Sequence, residues 1–244
     1  ITPKNPHLRT VKHQRQFLSD FLIPRIRQFH RENSAACEVF LIMGNDDFKA
    51  NYDYLKKNED GYVVLDGMPV SWGEFNILGY SCVPYSPFIY KDWEKADMID
   101  KIESDKKNII LRGVRSTEKG LVPHTINLDD REDSIEKDFS VMLHKVDPRT
   151  AILVAHCPPH NTALDKTRHN THVGSAALAK IIGNRQPFLT LHGHIHECAS
   201  GSGTFLETIG TTVCINPGND HKGNDLAIVE IDPSHPRDAR RIIL

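Results

Sequence analysis

Apolar residues return every third or fourth position from 14 to 30, with Leu18, Leu22, Ile26 and Phe29 on one face. That period predicts an amphipathic helix, which Pro24 must bend or shorten. The run Cys37-Glu38-Val39-Phe40-Leu41-Ile42-Met43 then stops at Gly44 and reads as a buried strand. Tyr62 to Leu65, Phe75 to Val83 and Asn108 to Gly113 are further strand candidates between turn-rich or charged segments. Asp133, followed three residues on by Glu136, has the spacing of a capping box. Ile135, Phe139 and Leu143 then share one face of a short helix.

The second half is more regular. Ala151 to Ala155 is a strand running into His156, and Pro158-Pro159 prevents it from continuing. Residues 175 to 182 form a short apolar helix capped by Ser175, and Phe188 to Leu191 is the next strand, ending at His192-Gly193-His194. Thr204 to Ile209, Thr212 to Ile215 and Leu226 to Ile231 are short strands, with Asn216-Pro217-Gly218 as a turn between the last two. With no internal repeat or linker, strands and helices alternate as in one layered α/β domain over residues 1 to 244, with antiparallel pairing among the closely spaced late strands.

Composition changes this picture little. Of 244 residues, 39% are hydrophobic and 25% charged, which is ordinary for a soluble chain. The 30 basic and 32 acidic side chains are spread along the sequence, so nothing marks a nucleic-acid face. No apolar run is long enough to span a membrane, and Ile1 to Asn5 carry no secretory signature, so a cytoplasmic protein is the expectation. The five cysteines form no CxxC pair and read as reduced thiols, buried where they fall in apolar strand-like runs. Cys157 and Cys198 flank histidines but are read as non-ligands.

The chemistry gathers at strand ends. Gly44-Asn45-Asp46-Asp47, His156-Cys157-Pro158-Pro159-His160 and His192-Gly193-His194-Ile195-His196-Glu197 each follow a predicted strand, where layered α/β proteins place their functional groups. If the segment is extended, His194 and His196 share a face and aim two imidazoles at one place, while Gly193 frees the backbone to turn. Alone, His156 reads more readily as a core histidine and Asn45 as a turn residue. An amide oxygen still suits a moderately hard cation.

Taken in order, Gly44-Asn45-Asp46-Asp47, His156-Cys157-Pro158-Pro159 and Gly193-His194-Ile195-His196 resemble the third, fourth and fifth signatures of the calcineurin-like metallophosphoesterase family. Asn216-Pro217-Gly218 and His172-Val173-Gly174-Ser175 also resemble segments of its bacterial and archaeal members. The resemblance runs from about residue 37 to 231 and implies a four-layer αββα sandwich with two mixed sheets and two divalent metal ions, Mn, Fe or Zn, at the sheet edge. It implies Asn45, His156 and His194 on one metal and His196 on the other, with hydrolysis of a phosphomonoester or small phosphodiester. Asp47, His172, His192 and the helix start at Gly174-Ser175 stand as supporting or substrate-contacting candidates, the last through its free amides.

Two departures qualify it. No Asp-x-His or Gly-Asp-x-x-Asp precedes Asn45, so the carboxylate that bridges both metals is not found. The expectation is a missing amino-terminal segment, with a sheet short of its first strand or strands that a partner fragment or an oligomer completes; a degenerate, non-catalytic binding module is the alternative. Asp46 also stands where members carry a histidine that protonates the leaving group. An aspartate beside cations is a poor proton donor, so its catalytic part is to orient a water or a neighbour. A nuclease is a third, weaker reading.

Overall fold

A computed structural model describes residues 10–33, 37–99, 109–219 and 226–244 of the chain. The first helix, α1 (Val11–Phe17), is capped by the Thr10 side chain, which accepts from His13 N–H. It passes through a π-helical turn at Leu18–Leu22 into α2 (Ile23–Asn33). A proline ring clashes with the carbonyl four residues back, so the distortion expected at Pro24 takes the form of a wider turn just ahead of it.

The run from Cys37 contributes only β1 (Phe40–Leu41), half-buried rather than buried. It pairs in parallel with β2 (Val63–Val64), and α3 (Tyr52–Lys57) lies in the connection. β3 (Val70–Trp72) and β4 (Phe75–Tyr80) form a hairpin around Gly73, which sits at φ +57°. β5 (Val83–Pro84) pairs in parallel with β6 (Glu94–Lys95). The strand expected over 108 to 113 is longer and later: β7 (Ile110–Thr117) turns back as β8 (Gly120–Asn127), a hairpin partner not anticipated, while Asn108 lies outside the described residues.

The helix α4 (Ile135–Leu143) is capped one residue later than the spacing implied. Ser134 accepts from Lys137 N–H, whereas Asp133 pairs with Lys95 at 2.6 Å. β9 (Ala151–Ala155), α5 (Ala176–Arg185, capped by Ser175) and β10 (Leu189–Leu191) follow as expected. Then come the short α6 (Cys198–Ser202), β11 (Leu206–Ile209), β12 (Thr212–Ile215), β13 (Ala227–Glu230) and the unanticipated β14 (Arg240–Ile243), antiparallel to β13.

The larger sheet runs β11-β12-β10-β9-β4-β3, parallel through its four central strands and antiparallel at both edges. Alternation along each strand divides the core. Phe40, Ile42, Val63 and Leu65 pack in one cluster with Ile77, Ile152, Leu189, Val213 and Val229, filling the space between the small sheet and the large one. Leu41, Val64, Leu78, Leu153 and Ala155 face the other way, into a cluster with Leu18, Ile23, Leu55, Phe139, Leu178 and Ile182 from the helices. The chain is thus an α/β protein with helices flanking mixed sheets, a four-layer αββα sandwich. Among the described residues no helix is long and apolar enough to cross a membrane.

The parallel central strands direct their carboxyl ends to one edge. β4 delivers Ser81 there, β9 His156, β10 His192 and β12 Asn216. Open α/β sheets present their ligand crevices at this edge.

Candidate functional site

Three of the expected ligands meet. The Asn45 side-chain oxygen lies 2.8 Å from His156 Nε2 and 2.9 Å from His194 Nδ1, and the two imidazoles are 5.2 Å apart between ring centres. An amide oxygen only accepts, so each contact is a hydrogen bond when the facing ring nitrogen carries the proton, Nε2 on His156 and Nδ1 on His194. Gly44 makes this approach possible, because a β-carbon there would stand 2.9 Å from His156 Cε1 and 3.0 Å from Nε2. The glycine ahead of Asn45 is therefore a matter of space for the imidazole.

The loop carrying Asn45 is held from below. Asp47 accepts from Gly44 N–H at 2.7 Å and from Gln14 Nε2 at 3.3 Å, and its own carbonyl accepts from Trp93 Nε1 at 2.8 Å. Burial raises the Asp47 carboxyl above its usual range, and the Gly44 bond opposes that rise. Asp46 is exposed.

The extended geometry expected for His194 and His196 is not what forms. His194 sits at φ +62°, and Ile195 N–H reaches the Gly193 carbonyl at 2.6 Å, a γ-turn of the strained kind. The unusual backbone thus falls on His194 itself, while Gly193 has no positive φ. His196 belongs to the turn that follows. It is near enough that its charge lowers the pKa of both His156 and His194.

Burial is the largest cause in each case, bringing His156 down to about 3 and His194 to about 4. Both imidazoles are neutral at physiological pH, so turning a lone pair toward a cation takes a change of tautomer and not the loss of a charge-bearing proton.

The remaining candidates sit apart from this meeting point. His192 is buried, with Nδ1 3.0 Å from the Ala155 carbonyl and Nε2 2.8 Å from Thr190 Oγ1; burial lowers it to about 4. It joins two strands. His172 Nδ1 lies 2.6 Å from Asp165, a fully buried carboxylate that also accepts from Gly174 N–H at 2.9 Å. The amides at the start of α5, expected to be free for an anion, are already taken: Asp97 accepts from Ala176 N–H at 2.7 Å and from the Ser175 hydroxyl at 2.5 Å. An anion does lie at that helix start, and the chain supplies it. Cys157 and Cys198 are buried with their sulfurs directed at the carbonyls of Pro158 and Asn216.

With ligand bonds of about 2.1 Å, adjacent donors on one octahedral cation lie roughly 3.0 Å apart. The separations of 2.8 and 2.9 Å from the Asn45 oxygen are close to that edge, as they are to ordinary hydrogen-bond lengths. Among the described residues, however, no group of three or more His, Cys, Asp and Glu side chains could hold a metal ion. The convergence thus depends on the asparagine, and the carboxylate of Glu197 is near enough to act on His194 through its charge. Glu197, next to His196, accepts from Arg168 N–H at 3.4 Å.

Beside the Asn45 loop opens a cleft of about 730 Å³, lined in part by Lys49, Ser81, Cys82, Trp93 and Lys95. Two of its lining residues are hydrogen-bonded to the segments that carry the meeting point. Trp93 holds the Asp47 carbonyl, and the Tyr80 carbonyl, which precedes Ser81, accepts from His156 N–H at 2.8 Å. Sequence reading missed Trp93, Asp97 and Asp165, each brought in by chain closure rather than by local pattern.

A solved crystal structure 18% identical to this chain superposes with a TM-score of 0.52, covering 94% of this chain and 74% of that one. The crystal structure of TT1561 of Thermus thermophilus is 13% identical, with a TM-score of 0.51 and coverage of 90% and 78%. No protein-family model and no curated protein matches the chain. At these identities the likeness establishes the fold alone, an α/β sandwich.

Proposed function

We propose that this chain carries the catalytic site of a calcineurin-like metallophosphoesterase, hydrolysing a phosphomonoester or small phosphodiester with two divalent cations, Mn, Fe or Zn. The observation that carries the reading is the Asn45 oxygen held within 2.9 Å of both His156 and His194 by loops from three different strands. Asn45, His156 and His194 hold one cation and His196 serves the other. When bound, such cations neutralise charge on phosphoryl oxygens and activate water.

The chain's own part is positioning. The neutral, buried imidazoles stay available as donors at physiological pH. Asp47 and Trp93 keep the Asn45 loop in place. In the neighbouring cleft Lys49 is a cationic group left for a small phosphorylated substrate, whereas Lys95 there is paired with Asp133 and Asp138. Asp46, exposed on the same loop, orients a water or a neighbour rather than donating a proton.

The test is hydrolysis of an aryl phosphate by the protein supplied with Mn²⁺. His156→Ala and His194→Ala each lower kcat/KM by at least about 100-fold. No hydrolysis of phosphomonoesters or phosphodiesters with any of the three metals sinks the reading. A donor set of one amide and two neutral imidazoles, which brings no negative charge of its own, favours a second reading, a non-catalytic cation- or protein-binding module on the same scaffold. One bound cation without turnover distinguishes it.

A further inference from the structure

Asn216 closes β12 and is almost wholly buried. Its amide nitrogen lies 2.9 Å from the Gly193 carbonyl, 3.3 Å from that of Ile195 and 3.1 Å from that of Leu164. The first two are the carbonyls on either side of His194. The Asn216 side-chain oxygen accepts from Gly218 N–H at 3.0 Å, which fixes the amide's orientation. One turn further, Asn219 N–H reaches the His196 carbonyl at 2.7 Å. Gly218, at φ +57°, lets the two loops approach, since a β-carbon there would lie 2.9 Å from the His196 carbonyl.

A residue at φ +62° does not hold that conformation unaided, and its surroundings must over-determine it. Here the flanking carbonyls are the handles. With both drawn to one buried amide, the backbone at His194 has no room to relax, and Nδ1 is left pointing at Asn45.

We infer that Asn216 is a positioning residue for the His194 imidazole: by clamping the Gly193 and Ile195 carbonyls it holds the γ-turn that aims Nδ1 at the Asn45 oxygen. The inference rests on the cation-site reading for its consequence, though not for its geometry. Asn216→Asp is nearly isosteric and keeps the oxygen that accepts from Gly218, but it sets a second oxygen against three carbonyls with nothing to donate.

Two readouts on the full chain test it. In cation-free protein, ¹⁵N-imidazole NMR reads the His194 tautomer, and Asn216→Asp shifts it away from the wild-type Nδ1–H form. In the same variant, Mn²⁺ affinity measured by electron paramagnetic resonance falls about 10- to 100-fold, as it does when outer partners of metal ligands are lost. Ile77→Val, which loosens the inter-sheet core without touching this turn, leaves both readouts unchanged. If Asn216→Asp does not fold, Asn216→Ser, with one donor in place of two, is measured instead. Wild-type protein that binds no Mn²⁺ defeats the cation-site reading and leaves the NMR to decide. His194 resonances unchanged in the variant overturn the clamp, as does unchanged affinity where the wild type binds.

Discussion

Gly79, in the middle of β4, offers a sharp test of the layered core. A β-carbon built on it would lie 2.2 Å from Leu65 Cβ, 2.9 Å from Ile42 Cγ2 and 2.9 Å from the Leu65 carbonyl carbon. Carbon pairs prefer roughly 3.5 to 4.0 Å, and two of these three atoms cannot rotate aside, so Gly79→Ala must push the small sheet away from the large one by about 1 Å. A gap of that size forfeits a quarter to a half of each facing contact, and overpacking of this kind costs about 3 kcal/mol. For a chain of this length that is roughly 6 to 12 °C in Tm. Gly183, on the exposed face of α5, provides the internal control, because its added β-carbon meets nothing within 4 Å. Gly183→Ala should stabilise by about 0.5 to 1 kcal/mol through helix propensity. The same chemical change therefore has opposite signs at the two sites. Urea unfolding of both variants reads the difference, about 4 kcal/mol in all, and a Gly79→Ala protein within about 0.5 kcal/mol of wild type refutes the sheet-on-sheet packing at this point.

Lys91 and Glu94 form an ion pair at 2.8 Å with both side chains almost fully buried, and the Lys91 ammonium also donates to the Ser86 carbonyl at 2.7 Å. Lys91→Met strands the carboxylate and should cost about 3 to 5 kcal/mol in chemical denaturation, while Lys91→Met combined with Glu94→Gln recovers most of it; equal losses in the single and double variants contradict the pairing. Acid should weaken the cation-free fold. The folded-state pKa values of His156, His192 and His194, about 3 to 4, lie below the unfolded value near 6.5, so their stabilisation is complete above pH 6.5 and is lost as pH falls toward 4. His192 alone accounts for about 3 kcal/mol of that loss, and unfolding free energies measured at pH 7.0, 5.5 and 4.5 that stay level would show that these histidines are not buried neutral.

Much of the frame was legible because strand alternation and helix period are local signals. Ala151 to Ala155 and Thr212 to Ile215 were readable where they form because each is a short, largely buried apolar run, and the Ser175-capped helix because its cap and apolar face are local. The hairpin partner Gly120–Asn127 was missed because most of its positions are exposed or half-exposed and it contains Pro123, so neither burial nor propensity marks it. Ser134 outranked Asp133 as a cap for a tertiary reason: Lys95 claims the aspartate.

At the site, the three side chains that meet were visible as polar residues just past apolar strands. How they meet was not. Two-residue spacing argues for a shared face only in an extended chain, and the clamp from Asn216, far beyond His194 in sequence, imposes a γ-turn instead. Likewise, the amides before α5 looked free, but the chain just after β6 brings Asp97 to them.

Calorimetric titration of the cation-free protein with Mn²⁺ and with Zn²⁺, in parallel with Asn45→Ala and His194→Ala, bears most directly on the Asn45, His156 and His194 centre. The expected result is saturable binding by the wild type that either substitution abolishes while the protein stays folded. Wild-type protein that takes up neither ion, or binding that survives both substitutions, contradicts a cation site at these three residues.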